Sequence, residues 1–259
     1  MLPKWYNLNM ERTLLPEIRY SPQDINQKRA QVRRELIDRS PNVTGGKLQR
    51  LANSDLKLLF RLYDSIFLGN YFQNRFQGEI IFSLSTRMTA NAGKLIFSKN
   101  IKNVETTKEK YELKIGINFF FKYYHLNREK KVNGIKTADS LQALQLVFEH
   151  ELCHLIELHC FKKSNCRQER FKTIAQNIFG HTESYHQLPT DREIAAAQYD
   201  FRIGDRVCFT YDNIKYTGII YNINKRATVM VPQEKGIYQD NKGNRYSKWY
   251  VPLPSLNKE

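Results

Sequence analysis

The 259-residue sequence contains few of the residues that mark extracellular, fibrous or membrane proteins. Three of its four cysteines, Cys153, Cys160 and Cys166, fall in one short segment, which is poor spacing for a disulfide framework. Eight prolines and twelve glycines are too few for a collagenous or linker-like chain. No window approaches the roughly 18 to 20 apolar residues of a membrane span, and residues 1–6 lack the apolar stretch of a signal peptide. These absences predict a soluble protein of a reducing cytoplasm, without a membrane partner.

Acidic residues are also scarce relative to basic ones. The chain has 41 Lys and Arg against 26 Asp and Glu, a net charge of +15, while 41% of its residues are hydrophobic and 12% aromatic. That content of apolar and aromatic residues predicts a globular core, which a disordered chain would lack. The positive charge favours contact with polyanions, so nucleic acid is an expected partner. The alternative is a basic surface that only keeps the protein in solution.

Hydrophobic periodicity divides the chain into three segments. Residues 1–50 are polar and basic and predict an N-terminal extension with a helix over 27–38. Residues 51–199 alternate between helical and strand patterns, and residues 200–259 carry short alternating runs separated by turn residues, which predict a small all-β module. In the middle segment we expect helices over 54–68, 141–161 and 168–179 and strands over 79–85, 93–97 and 111–117. The fold class predicted from these elements is α+β.

The helix predicted over 141–161 contains a spacing that is typical of zinc hydrolases. Its residues His150, Glu151 and His154 form an H-E-x-x-H pattern. Residues four apart on a helix lie on one face, so both imidazoles can reach one Zn²⁺, and Glu151 can act as general base toward the water that the metal activates. The alternative is a chance match. Because this helix is apolar on nearly every face, however, three buried polar groups need partners, and a metal supplies one.

Several segments, in order along residues 54–186, resemble the family of SprT-like zinc metallopeptidases. The similar segments are Leu56–Phe72, Ser83–Gly93, Ile115–Asn118, Phe148–His154 and Phe179–Thr182, together with Gly204–Val207 and Lys225–Val229 in the β module. The resemblance implies a small zincin-like domain of helices packed on a short sheet, with the H-E-x-x-H helix as its active-site helix. It also implies a zinc endopeptidase acting on proteins attached to DNA, and therefore association with the nucleoid if the protein is bacterial. The β module behind it is expected to be an SH3-like barrel.

The third zinc ligand departs from this family pattern. The family has a histidine four residues before an aromatic residue; with Phe171 as the aromatic residue, that position holds Arg167, which stays protonated and cannot bind zinc. Cys166 stands one position earlier, and a thiolate is an acceptable zinc ligand. We therefore predict His150, His154 and Cys166 as metal ligands. The remaining candidates for the third ligand are His181, His186 and Glu169.

The C-terminal segment combines aromatic and basic residues. Ten Lys and Arg face six Asp and Glu between residues 200 and 259. Eight aromatic residues are interleaved with them: Phe209, Tyr211, Tyr216, Tyr221, Tyr238, Tyr246, Trp249 and Tyr250. Aromatic side chains beside cations are how small barrels hold single-stranded nucleic acid. The alternative is that these rings fill the core of the module.

From the sequence we therefore expect a zinc-dependent metallopeptidase that cleaves protein or peptide substrates and is positioned on DNA or another nucleic acid by its C-terminal module. The second hypothesis is a nucleic-acid-binding protein that keeps the peptidase fold but has lost activity, since the family's third histidine is missing. A third is a metallohydrolase that acts on substrates other than peptides, because an activated water does not by itself select the carbonyl that it attacks.

Overall fold

The computed structural model describes residues 15–259 and has an α+β fold. The chain divides into two compact units, the first ending at Leu188 and the second spanning Pro189–Glu259. The sequence prediction for residues 1–6 lies outside the described residues. Within the described range, no helix is both long enough and apolar enough to cross a membrane.

The first unit contains six α-helices and a three-stranded sheet among its described residues. The helices are α1 (Pro22–Arg39), α2 (Asn53–Leu68), α3 (Tyr71–Arg75), α4 (Ile117–Phe121), α5 (Ser140–Phe161) and α6 (Glu169–Phe179). The strands are β1 (Glu79–Ser85), β2 (Gly93–Phe97) and β3 (Lys110–Gly116), followed by a short hairpin of β4 (Lys131–Val132) and β5 (Ile135–Lys136). The sheet order is β1-β3-β2, with β1 parallel and β2 antiparallel to the central strand β3. The helices and strands predicted from periodicity are confirmed.

The helices begin and end where local chemistry favours it. Ser21 caps α1 by accepting a hydrogen bond from the Asp24 backbone N–H at 3.1 Å, and Asp139 caps α5 by accepting one from the Gln142 N–H at 2.8 Å. Gly69 and Gly180 end α2 and α6 in the left-handed conformation that glycine adopts without strain. These caps fix the ends of the segments that carry the apolar periodicity.

Helix α5 is the central element of the first unit. It packs against α6 on one side and strand β2 on another, and its side chains are buried around nearly its whole circumference. Helix α2 adds the aromatic core residues Tyr63 and Phe67; the Tyr63 ring stacks on Phe148 of α5 with centroids 5.9 Å apart. Burial on all sides fixes the direction in which every polar side chain of α5 points.

The N-terminal segment differs from its prediction as a separate extension over 1–50. The predicted helix exists as α1, but Val32 and Leu36 of α1 and Val43 and Leu48 after it belong to the main hydrophobic core. Arg29 is also buried, where it bonds to Glu149 of α5. The described part of this segment is therefore integral to the first unit. The sequence did not predict that this segment joins the core, because its apolar positions are few and their partners lie far away along the chain.

The second unit is a six-stranded antiparallel sheet preceded by helix α7 (Asp191–Tyr199). Its strands are β6 (Arg206–Tyr211), β7 (Ile214–Ile223), β8 (Ala227–Pro232), β9 (Tyr238–Gln239), β10 (Arg245–Val251) and β11 (Asn257–Lys258). They lie in the order β11-β6-β7-β8-β10-β9. The compact unit begins before the predicted boundary at residue 200, because Ala195 of α7 packs in the core of this sheet.

A buried ion pair joins α1 to α5. The Arg29 guanidinium donates to both carboxylate oxygens of Glu149 at 2.8 Å, and Tyr63 and His181 also hydrogen-bond to this carboxylate. Burial raises the pKa of the Glu149 carboxyl, but the charge of Arg29 and the hydrogen bonds outweigh this effect and lower the pKa to about 2. Glu149 is therefore a buried carboxylate whose charge depends on Arg29.

We expect the substitution Arg29→Ala to lower the free energy of unfolding by about 3–5 kcal/mol, because it leaves the Glu149 charge buried without its cationic partner. The matched control is Arg39→Ala in the same helix, whose exposed pair with Glu35 spans 3.5 Å and contributes at most about 0.5 kcal/mol. Urea unfolding followed by circular dichroism measures both. Equal losses in the two variants would show that the buried pair is not a major source of stability.

Candidate metal centre

Three potential metal ligands come together at the middle of α5 and the loop that follows it. His150 and His154 are one helical turn apart, and the loop returns Cys166 to them. One ligand atom from each of these residues lies within 4.8 Å of the other two, and within residues 15–259 this is the one such group found. The ligand atoms of a tetrahedral zinc site with bonds of about 2.0–2.3 Å are about 3.3–3.6 Å apart. The upper limit of 4.8 Å exceeds these separations by about 1.5 Å or less.

The orientation of the two imidazoles is fixed by packing and by one hydrogen bond. His154 Nδ1 lies 2.7 Å from the Ser164 hydroxyl, which leaves Nε2 of that ring for a ligand. The Phe171 ring of α6 packs on both imidazoles, with centroids 4.9 Å from His150 and 4.5 Å from His154. Each ring therefore has a defined position without any ion.

Both imidazoles are held in the neutral form that metal binding requires. Burial, followed by the neighbouring His154 ring, lowers the pKa of His150 to about 3. Burial lowers the pKa of His154 to about 4. Neutral histidines present a free lone pair at physiological pH, so no proton needs to be displaced from either ring before an ion binds.

His150 has a further property that sets it apart. Its Nδ1 is buried and has no hydrogen-bond partner among the described residues. A buried polar ring with incomplete bonding is destabilising unless something else compensates. The donor set of two neutral imidazoles and a thiol fits Zn²⁺, which is bound in proteins by these groups.

The loop that carries Cys166 is attached to the helix by Glu157. The Glu157 carboxylate accepts hydrogen bonds from the Asn165 N–H at 2.9 Å and from Arg170 Nε at 2.8 Å. Ser184 donates to the Cys166 carbonyl oxygen at 3.2 Å. Glu157 is fully buried and lies one turn beyond His154 on α5. It therefore connects the helix that carries the two histidines to the loop that carries Cys166.

Glu151 is placed against the backbone of strand β2. Burial raises the pKa of its carboxyl to about 8, and a hydrogen bond from the Leu95 backbone partly offsets the effect. A Cβ atom on Gly93 would lie 2.6 Å from Glu151 Oε1, so the carboxyl occupies space that only glycine leaves free. Because a neighbouring cation favours the charged form of a carboxyl, a bound metal would oppose the effect of burial.

The three potential ligands and Glu151 line one cleft of about 410 Å³. Residues Gly93, Leu95 and Phe97 of β2 form part of its wall, and this strand is an edge of the sheet. Another part is the segment Ser184–His186, which is attached to the β4–β5 hairpin by a hydrogen bond of 2.8 Å from the Asn133 N–H to the Tyr185 carbonyl oxygen. The cleft is open to solvent at a sheet edge, so an extended chain can approach Glu151.

The structure separates the remaining candidates for a third ligand. His181 is buried beside Glu149, to which its Nε2 bonds at 2.9 Å, and it is not in the cluster. Glu169 lines a different cavity, of about 430 Å³. His186 lines the cleft but lies outside the cluster. Cys153 packs in the core.

Sequence reasoning missed Ser164 and Gly93, and it gave no position for Tyr185. No local pattern marks Ser164, which lies ten residues after the imidazole that it contacts. Gly93 was noted only as part of a family-like segment, whereas its contact with Glu151 depends on how β2 packs on α5. Tyr185 reaches the cleft because the chain after α6 pairs with β4.

Comparison of the sequence with models of protein families gave no match. Comparisons with curated proteins and with solved structures gave no match either. The geometry of the cleft and the chemistry of its residues are therefore the basis for assigning a function.

We expect Glu157→Gln to weaken the binding of Zn²⁺ about 10- to 100-fold, since Glu157 loses its ion pair with Arg170, which also donates to the Lys163 carbonyl oxygen in the loop bearing Ser164 and Cys166. The measurement is competition with a chromophoric chelator. Glu169→Gln, at the exposed start of α6, is the control and should bind zinc as the wild type does. Unchanged affinity in Glu157→Gln would show that the loop holds its position without this carboxylate.

Proposed function

We propose that the protein is a zinc-dependent metallopeptidase of the SprT-like type. The observation that carries the proposal is the meeting of His150, His154 and Cys166 within 4.8 Å, in the same cleft as the buried Glu151. The first unit would then be a zincin-like domain, with α5 as its active-site helix, and the second an SH3-like barrel. The arrangement of helices around a short sheet supports this reading of the fold.

His150, His154 and Cys166 would hold the zinc ion, leaving a fourth position for water or substrate. Bound zinc supplies a Lewis acid and lowers the pKa of a coordinated water to about 7. Ser164 keeps the His154 ring in the orientation that directs Nε2 toward the cluster. Cys166 replaces the third histidine that the family pattern leads one to expect, and it must be a thiolate to act as a ligand.

Glu151 would be the general base. Its carboxylate, held by the Leu95 backbone, accepts a proton from the attacking water and can pass that proton to the departing amine. Burial raises the pKa of Glu151 and a bound cation would lower it again, so the carboxyl could be ionised near neutral pH and still accept a proton. Gly93 leaves the space that this carboxyl occupies.

The edge strand β2 supports a peptide as the substrate. Its outer side has no partner strand in the described sheet, and its residues line the cleft beside Glu151. An extended peptide can add to such an edge through backbone hydrogen bonds, which places a peptide carbonyl along the strand. A small ester or amide would make no use of this edge. We propose a protein or peptide substrate on this basis.

The net charge of +15 supports action near nucleic acid, and we propose DNA-associated proteins in the cytoplasm as the substrates. A second candidate function is a nucleic-acid-binding protein without peptidase activity. Arg167, at the position of the expected third histidine, favours this alternative. The two functions differ in whether the cluster binds zinc and whether Glu151 is required.

The ligand set predicts that wild-type protein contains about one zinc per chain, and that Cys166→Ala loses most of it, since two imidazoles alone bind zinc weakly. Elemental analysis after dialysis against a weak chelator measures the content. His186→Ala is the matched control because His186 lines the same cleft outside the cluster, and it should keep its zinc. Retention of zinc by Cys166→Ala would exclude the thiolate as a ligand.

The role of Glu151 predicts that Glu151→Gln keeps its zinc and loses cleavage of an unfolded protein substrate by about 10²- to 10⁴-fold, the usual contribution of a general base. The assay is performed with and without DNA, and Glu169→Gln is the control. Cleavage by Glu151→Gln at the wild-type rate would contradict the mechanism. Absence of cleavage by zinc-loaded wild-type protein under every condition would favour the second candidate function.

A further inference from the structure

The eight aromatic residues between positions 209 and 250 are not equivalent in the structure. Phe209 is buried in the core of the sheet, whereas Tyr211 is 54% exposed. Tyr216 and Trp249 are partly buried and pack against that core. These four rings form one contiguous cluster: Trp249 lies 4.7 Å from Tyr216, 5.4 Å from Phe209 and 5.4 Å from Tyr211, measured between centroids.

The alternation of side chains along strands explains why the rings share one face. Phe209 and Tyr211 are two residues apart on β6, so they point to the same side of the sheet. Tyr211 pairs with Ile214 across the β6–β7 hairpin, whose two turn residues, Asp212 and Asn213, both have positive φ. The turn therefore holds Tyr211 at the exposed end of the cluster, with Ile214, which is also exposed, opposite it.

The same alternation places a cation on this face. Arg245, Ser247 and Trp249 follow one another at every second position of β10. Trp249 Nε1 donates to the Ser247 hydroxyl at 3.0 Å, which fixes the plane of the indole. Arg245 is exposed at the start of the strand, and within residues 15–259 its guanidinium donates only a long bond of 3.5 Å, to the Gly236 carbonyl oxygen. The guanidinium therefore retains donors for a ligand.

We propose that this face, formed by Tyr211, Tyr216, Trp249 and Arg245, binds single-stranded nucleic acid. Tyr211 and Trp249 offer ring surface on which unpaired bases stack, and Arg245 offers charge-assisted hydrogen bonds to a phosphate. The second unit has more basic than acidic residues over 200–259, which matches a polyanion. A duplex offers no free base faces to these rings, so the single strand is the form that fits. The proposal does not depend on the metal centre.

The opposite face of the sheet provides an internal comparison. Tyr250 is 62% exposed and alternates with Trp249, so its ring points away from the cluster. On that face, Lys248 Nζ lies 4.0 Å from the centroid of Tyr238 and is already engaged with an aromatic ring. Tyr250→Ala removes an exposed tyrosine of the same strand without touching the proposed site.

The chain has only two tryptophans, Trp5 and Trp249, so a full-length Trp5→Phe protein reports on Trp249 alone. Titration with a 20-nucleotide oligo-dT at low salt is expected to quench its fluorescence, with affinity that falls as salt rises. Tyr211→Ala and Arg245→Ala should each weaken binding at least about fivefold. Tyr250→Ala should bind as the parent does, and Tyr211→Phe should retain binding because it keeps the ring.

Three outcomes would overturn the proposal. The first is that oligo-dT leaves the fluorescence of Trp249 unchanged, whether or not the protein binds it elsewhere. The second is an equal loss of affinity in Tyr250→Ala and Tyr211→Ala. The third is tighter binding of a duplex, or equal quenching by heparin, a polyanion without bases. Thermal unfolding of each variant shows whether it is folded. If Tyr211→Ala does not fold, the Arg245→Ala and Tyr211→Phe variants still test the proposed face.

Discussion

The burial of α5 on nearly all sides is the constraint on which the first unit depends, because most polar groups of this helix have little access to bulk water. Each group is matched by a different element: Glu149 by Arg29, Tyr63 and His181; Glu151 by the Leu95 backbone; His154 by Ser164; Glu157 by Asn165 and Arg170; His159 by Glu109 and Tyr71. Unmatched groups would each destabilise the fold by about 1–3 kcal/mol or more. The exception is His150, whose Nδ1 has no partner among the described residues. The metal proposal therefore concerns the imidazole of α5 whose buried Nδ1 lacks a hydrogen-bond partner among the described residues.

These pairings also separate the buried carboxylates by their charge. Glu149 is kept ionised by an arginine, so its pKa falls to about 2, whereas Glu151 has no cation beside it and its pKa rises to about 8. Two residues apart on one helix, they are suited to different tasks: the first stabilises the packing of α1, and the second can exchange a proton. The difference arises from the partner residue, since both carboxylates are fully buried.

A feature could be predicted from the sequence when the residues that form it are close together along the chain. Helix α5 and the H-E-x-x-H spacing are encoded locally, and each is present where the pattern indicates. The inclusion of α1 in the core was not predicted, because the partner of Arg29 lies 120 residues further along the chain. Cys166 was named from its chemistry and from its position beside the expected third ligand, and its approach to the imidazoles depends on a loop whose Asn165 N–H is held by Glu157. The relation to SprT-like peptidases stays a prediction.

A thiolate in place of a third histidine changes the electrostatics of the proposed centre. Two neutral imidazoles and one thiolate reduce the charge of a divalent ion to +1, whereas three histidines leave it at +2. A lower charge withdraws less electron density from a coordinated water and from a substrate carbonyl. Proton transfer then depends more on the base, and burial of Glu151 opposes the lowering of its pKa that a nearby cation would cause. Because a centre of charge +1 would lower the pKa of Glu151 less than one of charge +2, the thiolate would leave this carboxylate a better proton acceptor than a third histidine would.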